Sequence, residues 1–221
     1  MNGPMVRQLV LKDLYLVRWM IAGSIAAGLV ALAMMPLGRV SAYVGGVSLI
    51  CVLIILNIFL VMGVVQERKD KVLLFVLSLP ISTTEYTIAK VLANVIAFTI
   101  PWLVLTIANI ALIHLSQIPN GILPFWLTVL AYLLAYYFVL LAVSLVTDST
   151  GWHTTAIIVG NVSVNFLIPF LLRRPSVVAH AEAATAVWTT DIIAMIGVEI
   201  LTGLAALALA VYFHSRRRDF I

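Results

Sequence analysis

Any chemistry in this 221-residue chain would have to be built from an acidic side chain at Glu199, a scatter of asparagines and four histidines. Glu199 lies near the middle of an apolar run, where a carboxylate costs about 2.5 to 3.5 kcal/mol by insertion scales and must face protein or water. There it would serve a substrate or proton path, or, protonated or paired, tie helices together. Asn57, Asn109, Asn161 and Asn165 pose the same question more weakly, since bonds between helices satisfy an asparagine. Asn161-Val162-Ser163 matches a glycosylation acceptor, but its apolar surroundings make the match spurious. His114, His153, His180 and His214 are scattered along the chain, an arrangement that argues against a histidine metal site. Asp148 with His153 is a further acid and base pairing, although Asp148-Ser149-Thr150 reads better as a turn that caps a helix. Cys51 is the only cysteine and sits in an apolar run, which excludes an intrachain disulfide and a cysteine-based metal site. The sequence carries no G-x-x-x-x-G-K-[ST] phosphate loop, no H-E-x-x-H zinc helix and no G-x-S-x-G nucleophile elbow, so ATP hydrolysis by the usual loop is not expected of it.

These residues are set in a chain that is 63% hydrophobic and only 10% charged, too few charges to cover a water-soluble core. Lipid must be the solvent for much of it. A formal charge of +4 would invite a nucleic-acid reading in a soluble protein, but here the basic residues cluster at the ends of apolar runs and read as topology signals. Runs near the roughly 20 residues that a spanning helix needs recur at about 19–37, 43–65, 91–115, 124–146, 154–172 and 191–213. The first is preceded by Asp13 and ends at Pro36 and Arg39 without a small-residue cleavage pattern, so it reads as a retained span. With the N-terminus inside, Arg7, Lys12, Arg18, Arg68, Lys69, Lys71, Lys90 and Arg216 to Arg218 are cytoplasmic and only Arg39, Arg173 and Arg174 are outside. The positive-inside rule requires that asymmetry, which puts both termini in the cytoplasm. No stretch is long and polar enough for a soluble domain, so residues 1–221 form one membrane domain.

Three segments outside the spans are informative. Val6, Leu9, Val10, Leu14 and Val17 fall on one side of a helical wheel and Arg7, Gln8, Lys12, Tyr15 and Arg18 on the other, with Asp13 and Leu11 as misfits. That pattern predicts an amphipathic helix on the inner membrane surface, the alternative being an early start to the first span. The connection from Gln66 to Lys90 opens with Gln66-Glu67-Arg68-Lys69-Asp70-Lys71, continues as Val72-Leu73-Leu74-Phe75-Val76-Leu77-Ser78-Leu79, and breaks at Pro80. The apolar stretch is far too short to cross a bilayer, so either the protein's own helices or a partner must cover it. Its charged lead-in and separately capped exit favour a partner. Ser82-Thr83-Thr84-Glu85 is a capping box, with Ile81 and Tyr86 placed as a hydrophobic staple, that starts the third helix about two turns before Lys90. After Pro175, the residues Val177, Val178, Ala181, Ala184, Thr185 and Trp188 recur at helical spacing and predict a short helix at the outer interface.

The chain resembles the membrane subunits of type-2 ATP-binding-cassette (ABC) exporters, as seen in bacterial half-size permeases. The resemblance rests on the segment Leu9 to Arg18, the six spans, Glu67-Arg68 followed by Phe75-Val76-Leu77-Ser78-Leu79-Pro80-Ile81-Ser82, Ala89-Lys90, and the ending Arg216-Arg217-Arg218-Asp219-Phe220. It implies an all-α membrane protein of six transmembrane helices, with an N-terminal interfacial helix and a short cytoplasmic coupling helix between spans two and three. That helix would fit a cleft on a separate ABC ATP-binding subunit, making Glu67, Arg68, Lys71, Leu73, Leu74, Phe75, Leu77, Ser78, Leu79 and Pro80 the coupling residues and Ser82 and Glu85 the cap behind them. It further implies pairing with a second copy or a related permease, a path formed largely by spans two and five, and a bacterial cytoplasmic membrane location. Asn57, Phe59, Asn161, Asn165 and Glu199 become candidates for that path. ATP and magnesium would be bound by the partner ATPase and no cofactor by this chain, and the cargo would be a hydrophobic or amphipathic peptide, drug or lipid-like molecule. A proton-coupled secondary transporter using Glu199, and a nontransporting anchor or sensor, are the rival readings; neither explains the apolar segment Val72 to Leu79 as directly.

Overall fold

Hydrophobic runs of this length leave the backbone one way to satisfy its own N–H and C=O groups in lipid, which is to coil into helices. The computed structural model describes residues 3–69, 83–147 and 149–216; the side chains of residues 68–69, 83–84 and 214–216 lie outside that description. The described residues form seven α-helices: α1 (Gly3–Met34), α2 (Arg39–Lys69), α3 (Thr83–Leu115), α4 (Leu123–Val146), α5 (Thr150–Leu172), the single turn α6 (Pro175–Val178) and α7 (Thr190–Arg216). All but α6 are long and apolar enough to cross a membrane. The α1–α2 connection is a 3-10 turn, Met35–Leu37, closed by Gly38 at φ +150°, a conformation that side-chain-bearing residues rarely adopt.

α4 is the central helix, with 17 of its 24 residues buried, among them Val129, Leu130, Leu141 and Tyr137. Lipid tails are as apolar as leucine, so helices associate in a bilayer through close contact rather than through release of water. Small residues supply that contact. Gly203 of α7 sits where an added Cβ would meet the Ala135 backbone of α4 at 2.8 Å, and Gly160 of α5 lies on the ring of Tyr136. Gly45 of α2 meets the Ala31 carbonyl of α1, and Gly46 the ring of Trp126. Polar bonds pin the same interfaces: Trp102 Nε1 donates to the Leu130 carbonyl at 2.7 Å, and Tyr137 Oη to the Asn94 carbonyl at 2.8 Å. The Tyr137 ring also stacks on Phe98 with centroids 4.1 Å apart.

Two expectations need correction. The N-terminal segment is not a separate interfacial helix: no proline interrupts residues 5–34, and α1 runs unbroken from Gly3 to Met34, about 48 Å at 1.5 Å per residue. Its apolar stripe is covered by protein, since Val6 and Val10 are buried against Ala89 and Ala93 of α3. The outer segment after Pro175 is helical only to Val178. The carbonyls of Ala183 and Ala184 accept instead from Gly121 N at 2.9 Å and Asn120 Nδ2 at 2.9 Å, so the α3–α4 connection holds the 179–189 stretch in a non-helical path. Gly121 is required there, because a Cβ would strike the His180 carbonyl.

Candidate functional site

The chain's most concentrated ionic contact among the described residues lies where α1, α2 and α3 meet. Lys90, about two helical turns into α3, donates to Asp13 Oδ2 of α1 at 2.9 Å and forms a short ion pair with Glu67 Oε2 near the end of α2. The Lys90 side chain is 10% exposed, against 14% for Asp13 and 32% for Glu67. An ammonium so far withdrawn from water is tolerable only because two carboxylates face it. Lys12 answers the other oxygen of Asp13 at 3.3 Å from a more exposed position. Asn94 bonds back to the Lys90 carbonyl at 2.9 Å, fixing the next turn of α3.

The helix order explains why these groups converge. Asp13 was the misfit on the apolar side of the α1 wheel; that side faces α3, and the buried stripe of Val6, Val10, Ala89 and Ala93 sets Asp13 beside Lys90. Glu67 and Lys90 stand on the two stems of the connection between α2 and α3. The triad therefore ties both stems to the first helix.

Of the residues singled out in the sequence, Glu67 is part of this triad. Lys71, Leu73, Leu74, Phe75, Leu77, Ser78, Leu79, Pro80 and Ser82 lie outside the described residues, as does the side chain of Arg68. α3 begins at Thr83, one residue after the expected cap, and Glu85 is half-buried in its first turn. The proposed path residues do not form one cluster. Asn57 is buried within α2's packed face, and its Oδ1 finds no hydrogen-bond partner among the described residues. Phe59, 60% exposed, lines a groove between α1, α2 and α3. On α5, Asn165 is exposed and turns its Nδ2 onto the Asn161 carbonyl at 2.9 Å, while Asn161 Oδ1 is enclosed without a partner among the described residues. Glu199 is half-buried on α7, one turn before the Gly203–Ala135 contact with α4, and its Oε2 is enclosed without a hydrogen-bond partner among the described residues.

The far end of the bundle carries a second polar node. Asp191 at the start of α7 accepts from Ser176 Oγ at 2.6 Å and lies 3.8 Å from Arg174, whose guanidinium also covers the Phe170 ring at 4.5 Å. This node seals the α5–α7 connection. Sequence reasoning missed both it and the role of Lys90, although an acidic residue on the apolar side of a wheel was the available signal for the triad. No group of three or more histidine, cysteine, aspartate or glutamate residues that could hold a metal comes together among the described residues.

In comparison with known proteins, the model of a family described as ABC-2 family transporter protein fits residues 22–193, well over half of the chain. No curated protein and no solved structure matches.

Proposed function

This chain belongs to the ABC-2 transporter family, a membrane permease component of an ABC transporter, and from that premise we propose that it is the translocating half of an ATP-driven exporter. In this reading a separate ATP-binding subunit, holding ATP and magnesium, docks on the segment Val72 to Leu79. The distribution of lysine and arginine supports a cytoplasmic location for that segment and for both termini; the membrane would be a bacterial inner membrane. Closure of the ATPase subunits would push on the connection between α2 and α3 and shift the bundle between inward-facing and outward-facing states.

The observation that carries the proposal is the Asp13–Lys90–Glu67 triad. A push on a loop moves a bundle only if the loop's stems are gripped; here one ammonium grips both stems and anchors them to α1. Force entering at the connection is delivered to three helices together.

A second copy of the chain, or a related permease, completes the path. Asn165 is an exposed amide on an apolar helix, and an amide facing lipid is costly enough to favour a protein or aqueous neighbour. Asn161 and Asn165 are the residues assigned to a weakly polar lining suited to hydrophobic or amphipathic cargo.

The test is co-expression with the ATPase subunits encoded beside its gene, followed by purification on this chain. An ATPase should co-purify with the wild type and be lost or uncoupled in Leu74→Asp and Leu77→Asp. If no ATPase binds the wild type, the coupling assignment is wrong.

A further inference from the structure

We propose that the groove between α1, α2 and α3 is a binding site for a membrane-dissolved amphiphile with a cationic, ammonium-type headgroup. The groove encloses about 480 Å³, within the range of small-molecule sites. It runs from Ile58 to Glu67 along α2, about 14 Å at 1.5 Å per residue. Most of its wall is aliphatic or aromatic, and Leu16 and Phe59 at its lip are 64% and 60% exposed, so the groove is open to the apolar phase around the bundle. One end alone is charged, by Asp13, Glu67 and Lys90. That polarity, apolar along its length and ionic at one end, is the shape of an amphiphile.

The sign of the headgroup follows from exposure. Lys90 is 10% exposed and spent on two carboxylates, whereas Glu67 is 32% exposed. Lys12 meets Asp13 without lining the groove. A headgroup arriving along the groove therefore meets a carboxylate before an ammonium, and a charge-assisted contact forms with a cation. An anionic head would have to displace Glu67 from Lys90 and leave that carboxylate unpaired.

Gly63 lines the groove, and a Cβ there would meet nothing within 4 Å. Among the described residues this glycine satisfies no packing demand; it leaves space. Leucine at this position would project into that space while improving helix propensity. Gly197 of α7 is equally open but lies outside the groove, and so provides a control.

The experiment uses membranes containing the full chain, without ATP or any ATPase subunit, so its result is independent of the export reading. A dodecyltrimethylammonium probe carrying a diazirine in its tail is photolysed and the adducts are mapped. Adducts should concentrate on residues 13–20 and 58–67 and be competed by unlabelled dodecyltrimethylammonium but not by dodecyl sulfate. Labelling should fall about tenfold, the order of effect of one charge-assisted contact, in Glu67→Gln. It should fall comparably in Gly63→Leu, which leaves the triad intact, and persist in Gly197→Leu. Labelling spread evenly over the lipid-facing helices, equal competition by the sulfate, or wild-type labelling of a Gly63→Leu chain that melts normally would each overturn the proposal.

Discussion

Replacing Lys90 by methionine tests the triad most directly, since it keeps most of the side chain's volume and removes the charge. Two carboxylates, at 14% and 32% side-chain exposure, would then face each other with no shared cation. Removing one partner of a buried ion pair costs roughly 3–5 kcal/mol. The partial exposure of Glu67 and the presence of Lys12 beside Asp13 place this case near the lower end, at about 3 kcal/mol. For a chain of this size that corresponds to a fall of about 6–12 °C in melting temperature, measured on the purified protein in detergent. A triple variant, Asp13→Asn, Glu67→Gln and Lys90→Met, leaves no buried charge uncompensated and should recover much of the loss. Melting of Lys90→Met within about 2 °C of wild type, or a triple variant as unstable as the single one, would refute the view that the triad holds the stems.

Other interfaces make independent predictions. Gly203→Val should force α7 off the Ala135 backbone and lower stability by about 1–3 kcal/mol, whereas Gly197→Ala, in open space, should be neutral or raise it by up to about 1 kcal/mol; thermal melting separates the two. Tyr137→Phe should cost about 1 kcal/mol through loss of the bond to the Asn94 carbonyl while the stack on Phe98 survives, and Tyr137→Ala about 3–5 kcal/mol, both read as shifts in melting temperature. Glu199→Leu should raise the melting temperature, because it removes a carboxyl oxygen that is enclosed without a hydrogen-bond partner among the described residues; a fall would show that a group beyond those residues holds the carboxyl.

The six spanning helices were legible because hydrophobic length is a one-dimensional signal: each run in the sequence ends within a few residues of its helix, and the fourth ends at Val146 in both. Where sequence reasoning failed, the deciding contact came from a distant residue. Asp13 looked anomalous on its wheel because its partner is 77 positions away. The segment after Pro175 has helical spacing, yet its carbonyls are claimed by Asn120 and Gly121. The significance of the glycines at 45, 160 and 203 depends on which atom faces each of them, which the sequence does not display. The path residues were the least legible part, since facing depends on packing: Asn57 points inward and Asn165 outward from helices with similar composition.

The length of chain between Asp13 and Lys90 also fixes an order of events during synthesis. At about 5–20 residues per second, the 77 residues between them take roughly 4–15 s to make. The contact of Gly45 with Ala31 becomes available as soon as the second helix has left the ribosome. Glu67 precedes Lys90 by 23 positions, so for roughly 1–5 s of that interval the first two helices form a hairpin with its hydrophobic seam closed and its two acids, Asp13 and Glu67, still without Lys90. The carboxylates favour water during that wait, and so help to keep their end of the hairpin at the membrane surface until the third helix arrives. Lys90 is in this sense a late rivet, set only once the parts it joins are already in position.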